Sequence, residues 1–180
     1  DKCVGCGACA VACMDQNDIE LKAGDQALRV IAHLEEAGKE QTCFMDFSMA
    51  CMHCEDAPCI KGCPTDCLRK DGETGFTVYD PSVCIGCHSC AMACPFGAPR
   101  FGRDGRLKKC DGCAQRVKHG MQPACVRVCP FDALKLYRED EYARANLSAS
   151  THRIVNMILA GQLGDIDGTD SNYRLWLCRL

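Results

Sequence analysis

The chain has 180 residues, a formal net charge of −3 and 19 cysteines, but only six Phe, four Tyr and one Trp. This length fits one or two small domains, and so few aromatic residues predict a thin hydrophobic core. The acidic balance argues against nucleic-acid binding, and no apolar run approaches the roughly 20 residues that span a bilayer. We therefore expect a protein without a membrane span, whose folding depends partly on what its cysteines bind.

The first group of closely spaced cysteines lies at the start of the sequence. Its thiols are separated by two, two and three residues: Cys3, Cys6, Cys9 and Cys13. Bacterial ferredoxins use this spacing, in which three thiolates hold one iron–sulfur cubane and the fourth ligates a neighbouring one. Gaps of two residues are too tight for a series of disulfides, so metal ligation is favoured. Met14 stands where the ferredoxin pattern has proline.

Residues 19–42 contain no cysteine. Apolar residues alternate over part of this segment, a pattern compatible with a strand or a helix: Leu28, Val30, Ala32 and Leu34. Gly38 marks a turn after it. Cys43 stands alone and is expected to be a small buried apolar residue rather than a ligand.

The second group has gaps of two, four and three residues and is followed by Pro64: Cys51, Cys54, Cys59 and Cys63. His53 lies between two of these thiols, where we expect a hydrogen bond near a cluster sulfur rather than iron ligation. Cys67 is a weaker ligand candidate than Cys63, because the proline follows Cys63. Residues 71–80 place Gly and Asp before a short β-rich run, which predicts a turn and then a strand.

The third group repeats the spacing of the first and is followed by Pro95: Cys84, Cys87, Cys90 and Cys94. This run is the most specific of the iron–sulfur patterns in the sequence. The fourth group contains a gap of eleven residues and is followed by Pro130: Cys110, Cys113, Cys125 and Cys129. Its two halves are also compatible with a zinc ribbon, but the three-residue gap and the proline favour iron.

Four groups of four supply sixteen thiolates, the number that four [4Fe–4S] clusters require, and leave over Cys43, Cys67 and Cys178. Eight basic residues lie between Arg100 and Arg127, and we expect them to offset the anionic clusters and to serve partner docking. No nucleophile, acid–base pair or organic-cofactor loop is recognisable, so we do not expect an enzyme. Beyond Tyr137 the sequence predicts a helix at residues 152–160 and an apolar docking tail at residues 172–180.

The order of these motifs resembles the four-cluster ferredoxin-type subunits of the dimethyl sulfoxide reductase iron–sulfur family. The resemblance covers residues 1–137 and includes the segments 51–59, 84–87 and 109–113. It implies an α+β fold of two fused bacterial-type 2[4Fe–4S] ferredoxin modules, one inserted in the other. The first module would comprise residues 1–45 and 100–138 and the inserted module residues 46–99. Residues 139–180 would form a C-terminal helix and docking tail.

The resemblance also implies that the last thiol of each group ligates the cluster of another group. Cluster one would be held by Cys3, Cys6, Cys9 and Cys129, and cluster two by Cys110, Cys113, Cys125 and Cys13. Cluster three would be held by Cys51, Cys54, Cys59 and Cys94, and cluster four by Cys84, Cys87, Cys90 and Cys63. The sequence departs from the family pattern at Met14, at the extra Cys67 and in its unmatched tail.

Such a subunit would relay single electrons to or from a molybdenum or tungsten pterin subunit, as similar subunits do in formate dehydrogenase, nitrate reductase and tungsten aldehyde oxidoreductase. We expect a hetero-oligomer with that subunit and a further redox subunit: a flavin protein, a hydrogenase or a membrane anchor. We expect the cytoplasm, with export alongside a partner that carries the leader as the alternative. The alternatives are a stand-alone polyferredoxin, a subunit of a hydrogenase or flavin enzyme, and a structural zinc protein.

Overall fold

The computed structural model describes residues 2–37, 42–138, 140–142 and 144, and within them short helices alternate with short strands. The α-helices are α1 Ala8–Gln16, α2 Pro58–Lys61, α3 Ser89–Ala93, α4 Ala114–Lys118 and α5 Ala124–Arg127. The strands are β1 Val30–Ala37, β2 Thr42–Met49, β3 Leu68–Lys70, β4 Thr77–Tyr79, β5 Arg100–Phe101 and β6 Leu107–Lys108. Two 3₁₀ turns lie at Leu21–Ala23 and Pro81–Val83. The α+β class predicted from the sequence is confirmed.

The strands pair only with their sequence neighbours, giving three antiparallel hairpins in the described part: β1–β2, β3–β4 and β5–β6. In the longest hairpin Val30 lies opposite Met49, and Leu34 lies opposite Met45. The ambiguous alternation around residue 30 is therefore a strand. The strand predicted at the end of residues 71–80 is confirmed as β4, which pairs with β3.

The helices are short because each is confined to one cysteine group. Left-handed residues precede three of them: Gly7 (φ 76°) before α1, His88 (φ 63°) before α3 and Cys113 (φ 53°) before α4. Proline follows the last thiol of groups two, three and four, and proline disfavours helix at the residue before it. Group one has Met14 instead, and α1 continues past its last thiol to Gln16.

The apolar core lies under the second and third cysteine groups. Its buried members are Ala57, Cys59, Cys67, Leu68, Cys90 and Leu107. Two of the helix pairs pack side by side, α1 against α5 and α2 against α3. The core is as small as the low aromatic content predicts, and thiols provide half of it.

The chain divides into two compact units, Asp1–Leu134 and Lys135–Leu180. All four cysteine groups belong to the first unit. The predicted helix at residues 152–160, the tail at residues 172–180, Cys178 and the Cys43 side chain lie outside what the structure describes. Among the helices that it does describe, none has the length and apolarity to cross a membrane.

Candidate metal centres

The first cysteine group opens onto a pocket that it shares with the end of the fourth group. The thiols lining the pocket are those of Cys3, Cys6, Cys9 and Cys129. Apolar residues complete the lining, among them Ile31, Phe131 and Leu134. The pocket thus joins two ends of the first unit that are more than a hundred residues apart in sequence.

The last thiol of the first group lies among the thiols of the fourth. Burial, followed by repulsion from Cys125, raises the pKa of Cys13 to about 11, and Cys113 acts in the same direction. Burial also raises the pKa of Cys110 to about 12, with smaller contributions from Cys13 and Cys51. Since such effects require short distances, Cys13 lies close to Cys110, Cys113 and Cys125.

The last thiols of the second and third groups each lie near the other group. Burial raises the pKa of Cys59, and the nearby Cys51 and Cys94 add to the rise. Burial and then repulsion from Cys63 raise the pKa of Cys90 to about 11, with Cys84 adding to the rise. Cys94 therefore lies beside the second group, and Cys63 beside the third.

The four thiol sets predicted from the sequence each contain four candidate ligands. Across the described part, no three Cys, His, Asp or Glu side chains converge on a point that one metal ion could occupy. A cubane distributes four thiolates over four irons, so its ligands stand farther apart than those of a zinc ion. Four thiols per set, none of them in a disulfide, provide the ligands that a [4Fe–4S] cluster needs.

Backbone N–H groups point at several of these sulfurs. The N–H of Ala98 donates to Cys94 Sγ at 3.5 Å, and the N–H of Ala133 donates to Cys129 Sγ at 3.3 Å. Both donors lie four residues beyond a cysteine that is followed by proline. At Cys13, which lacks the proline, the side-chain amide of Asn17 occupies the equivalent position, with Nδ2 3.6 Å from the sulfur. Hydrogen bonds to ligand sulfurs are one means by which proteins adjust cluster potentials.

A polar pair on the β1–β2 side reaches the first group. Arg29 donates to Ser48 Oγ at 2.9 Å, and Ser48 Oγ lies 3.2 Å from Cys9 Sγ. Because Ser48 accepts from Arg29, its own hydroxyl proton is free to point at Cys9. Neither Arg29 nor Ser48 was predicted from the sequence to lie near a thiol. The only available signal was a Ser at a polar position of an otherwise alternating strand.

His53 makes the predicted contact with a sulfur, but the sulfur belongs to another group. Its Nε2 lies 3.6 Å from Cys110 Sγ, and its Nδ1 accepts the N–H of Thr77 at 3.1 Å. Burial lowers the pKa of His53 to about 3, and the charges of Lys109 and Lys70 act in the same direction. Because Nδ1 accepts this hydrogen bond, it carries no proton.

Cys67, the spare thiol near the second group, is 1% exposed and packs in the apolar core. Its Sγ donates to the carbonyl of Asp80 at 3.1 Å. Burial, followed by repulsion from Cys84, raises its pKa to about 11. Because this sulfur is already engaged with a backbone carbonyl in the core, the preference for Cys63 as the ligand is supported.

Much of the predicted basic surface is engaged within the fold. Lys108 pairs with Asp25 at 3.2 Å, and Lys118 pairs with Asp71 at 2.6 Å. Lys109 is 1% exposed and donates to the carbonyls of two residues, Thr77 and Cys110. These buried and paired lysines fit the expectation that basic residues offset the negative charge of the clusters. Their role in partner docking stays a prediction.

The short hairpins, the short helices and the four thiol sets define a ferredoxin-type iron–sulfur protein. A family model described as a 4Fe-4S dicluster domain matches residues 42–139, and one described as a 4Fe-4S binding domain matches residues 1–14. The first match covers more than half of the sequence.

Named relatives point to the same class. The protein is 41% identical over 146 residues to the B subunit of the anaerobic dimethyl sulfoxide reductase of Escherichia coli, covering 78% of this sequence and 71% of that subunit. It is 42% identical over 142 residues to the thiosulfate reductase electron transfer subunit PhsB of Salmonella typhi, with 78% and 73% covered. The iron–sulfur subunit of the nitrate-inducible formate dehydrogenase of Escherichia coli is 35% identical over 148 residues, with 73% and 50% covered.

The chain thus belongs to the family of 4Fe–4S electron-transfer subunits that includes the B subunit of dimethyl sulfoxide reductase. It is an iron–sulfur subunit of an oxidoreductase complex rather than a catalytic subunit.

Proposed function

We propose that this protein carries four [4Fe–4S] clusters and relays single electrons to or from a molybdenum or tungsten pterin subunit. The observation that carries the proposal is that the last thiol of each cysteine group lies beside the thiols of a different group. The sixteen ligands would be the four sets predicted from the sequence. The clusters, when bound, supply the one-electron chemistry, and the polypeptide holds and shields them.

Contacts between the sets support a linear order of the four sites. Cys9 and Cys13, on the same helix, belong to the first and second sets. Cys110 of the second set is close enough to Cys51 of the third for each to influence the other's ionisation. Cys59 of the third set has the same relation to Cys90 of the fourth. An electron could therefore cross the first unit from site one to site four through adjacent sites.

The helix packing supports two modules of similar design. α1 packs against α5, and α2 packs against α3. The first pair would belong to the module formed by residues 1–45 and 100–138, and the second pair to the module of residues 46–99 inserted within it. Together, the two helices of each pair carry thiols of both sets of their module.

The partner is proposed from the relatives, which are named as parts of dimethyl sulfoxide reductase, thiosulfate reductase and formate dehydrogenase. We infer a hetero-oligomer with a catalytic molybdenum or tungsten pterin subunit and a further redox subunit, which could be a flavin protein, a hydrogenase or a membrane anchor. The cytoplasm is the proposed compartment, with export alongside a partner as the alternative. Residues 172–180 are proposed to dock on one of these partners.

The test is an anaerobic affinity purification of the complex through a tag on this protein, followed by metal analysis. We expect molybdenum or tungsten to co-purify in about equal amount with it, together with a large pterin-binding subunit. Iron and sulfide without either metal would contradict the pterin partner and favour a flavin enzyme or hydrogenase. Zinc without sulfide would contradict the electron-transfer function itself.

A further inference from the structure

His53 is covalently part of the second cysteine group, but its ring is directed at a thiol of the fourth. It lies between Cys51 and Cys54, which are assigned to the third cluster. Its Nε2 is 3.6 Å from the sulfur of Cys110, which is assigned to the second cluster. One residue therefore connects the ligand sets of two different clusters.

The hydrogen bonds of the ring fix which nitrogen carries its proton. The backbone N–H of Thr77 donates to Nδ1 at 3.1 Å, and a nitrogen that accepts a hydrogen bond holds no proton. With Nδ1 acting as the acceptor, the ring proton lies on Nε2. His53 consequently donates a hydrogen bond to Cys110, with the sulfur as acceptor.

The surroundings hold this orientation. The Phe76 ring lies 5.0 Å from the His53 ring, tilted by 50°. Phe76 is in turn packed so closely on Gly112 that a Cβ there would come within 2.5 Å of the phenyl ring. His53 itself adopts a left-handed backbone with φ 47°, which residues other than glycine rarely adopt and which clusters at functional sites.

We propose that His53 is a positioning residue that raises the reduction potential of the cluster held by Cys110 and links that cluster to its neighbour in the relay. The inference rests on the proposed function, because it takes Cys110 as a ligand of the second site and Cys51 and Cys54 as ligands of the third. A donor on a ligand sulfur stabilises the additional negative charge of the reduced state, so it favours reduction.

The sequence offers a matched set of variants. His53→Asn places an amide oxygen where Nδ1 now accepts from Thr77, but its side chain is too short to reach Cys110. His53→Gln is longer and can place an N–H near the position of Nε2. His88→Asn is the control, because His88 also lies between ligand thiols on a left-handed backbone (φ 63°), but its ring stacks on Phe101 at 3.8 Å.

The experiment is a potentiometric titration of the iron-loaded complex, monitored by electron paramagnetic resonance. In His53→Asn we expect one cluster to become harder to reduce, with its reduced-to-oxidised ratio at a fixed potential falling roughly three- to tenfold. A tenfold change corresponds to about 59 mV for a one-electron couple. His53→Gln should recover most of the shift, and His88→Asn should leave all midpoints unchanged. Unchanged midpoints in His53→Asn, or equal shifts in both His53 variants, would overturn the proposal.

A second readout needs no variant at His53. Pulsed electron paramagnetic resonance of the reduced wild-type complex, labelled with ¹⁵N-histidine, should show one ¹⁵N coupling to a cluster, and Cys110→Ser should alter that cluster. A spectrum without this coupling would overturn the proposed role of His53 but not the ligand assignment. If Cys110→Ser altered no cluster, the ligand assignment in the proposed function would have failed instead.

Discussion

Lys109 is a buried positive charge beside the second and third sites. Its side chain is 1% exposed, and among the described residues no carboxylate pairs with it. It opposes the rise in pKa that burial causes at Cys59 and Cys110. A desolvated ammonium group needs compensating negative charge, and anionic clusters at these two sites would supply it.

Lys109→Met should therefore lower the midpoint potentials of the second and third clusters, because a nearby positive charge favours the reduced state. It should also destabilise the fold by about 1–3 kcal/mol by removing the hydrogen bonds to the carbonyls of Thr77 and Cys110. Arg103→Met is the control, since it removes the same charge from an exposed site. Redox titration and thermal unfolding of both variants would check this. Equal potential shifts in the two variants would show that only the overall charge matters.

The individual ligands are predicted from the sequence alone, because their spacing is local, and they stay predictions. The contact of His53 with a sulfur was predicted in kind, but its partner, Cys110, lies 57 residues away, and no local pattern encodes that distance. The same holds for Ser48, which reaches Cys9 across 39 residues. Hydrogen bonds formed between separate elements depend on their packing, which spacing alone does not reveal.

Among the secondary-structure elements, α1 departs from the repeat because Met14 replaces proline. Its end is held by Asn17, whose Nδ2 donates to the carbonyl of Cys13 at 2.8 Å and lies near its sulfur. The backbone N–H of Ile19 also returns to the carbonyl of Met14 at 3.0 Å. The Asn17 side chain thus bonds a carbonyl at the end of α1, whereas in the other three groups a proline follows the last thiol.

Asn17→Ala should loosen this helix end by about 1 kcal/mol, which corresponds to roughly fivefold faster amide exchange if the end opens locally. The faster exchange should be confined to residues 14–19. Asp15→Ala is the control, because Asp15 is exposed on the same helix. Native-state hydrogen exchange of the loaded complex would measure both. A uniform rise in exchange over the first unit would contradict a local capping role.

At the same scale, the positions of proline explain where the short helices end, whereas the apolar pattern left helix and strand undecided. The prolines after groups two to four mark where the chain leaves its short helices, because proline restricts the residue before it. The apolar alternation around Val30 was ambiguous until β2 was seen to pair with it. Pairing determines whether such a segment is a strand, because an alternating segment is stable as a strand only with a partner.

For the whole molecule, crossed ligation makes a specific prediction about single thiols. Cys129→Ser should alter the same paramagnetic signal as Cys3→Ser, because both thiols line one pocket. Cys125→Ser should instead alter the signal that Cys13→Ser alters, although Cys125 and Cys129 belong to one sequence group. Cys67→Ser should leave all signals intact. If Cys125→Ser and Cys129→Ser changed the same signal, each group would hold its own cluster.

The cluster count itself was predicted from cysteine arithmetic and family resemblance. The structure adds the proximity of distant groups, which no single motif contains. The proposed division into modules rests on the same proximities, because a group and its completing thiol would fold together around one cluster. The second unit, beyond Leu134, contains no thiol of these groups.

The most direct test of the account is the iron and acid-labile sulfide content of the anaerobically purified complex. Four clusters predict about sixteen of each per copy of this subunit, because each [4Fe–4S] cluster holds four irons and four sulfides. The wild type and Cys67→Ser should give the same value, which would exclude Cys67 as a ligand. A content near eight per copy in freshly isolated, fully active complex would contradict the account, because two of the four thiol sets would then hold no cluster.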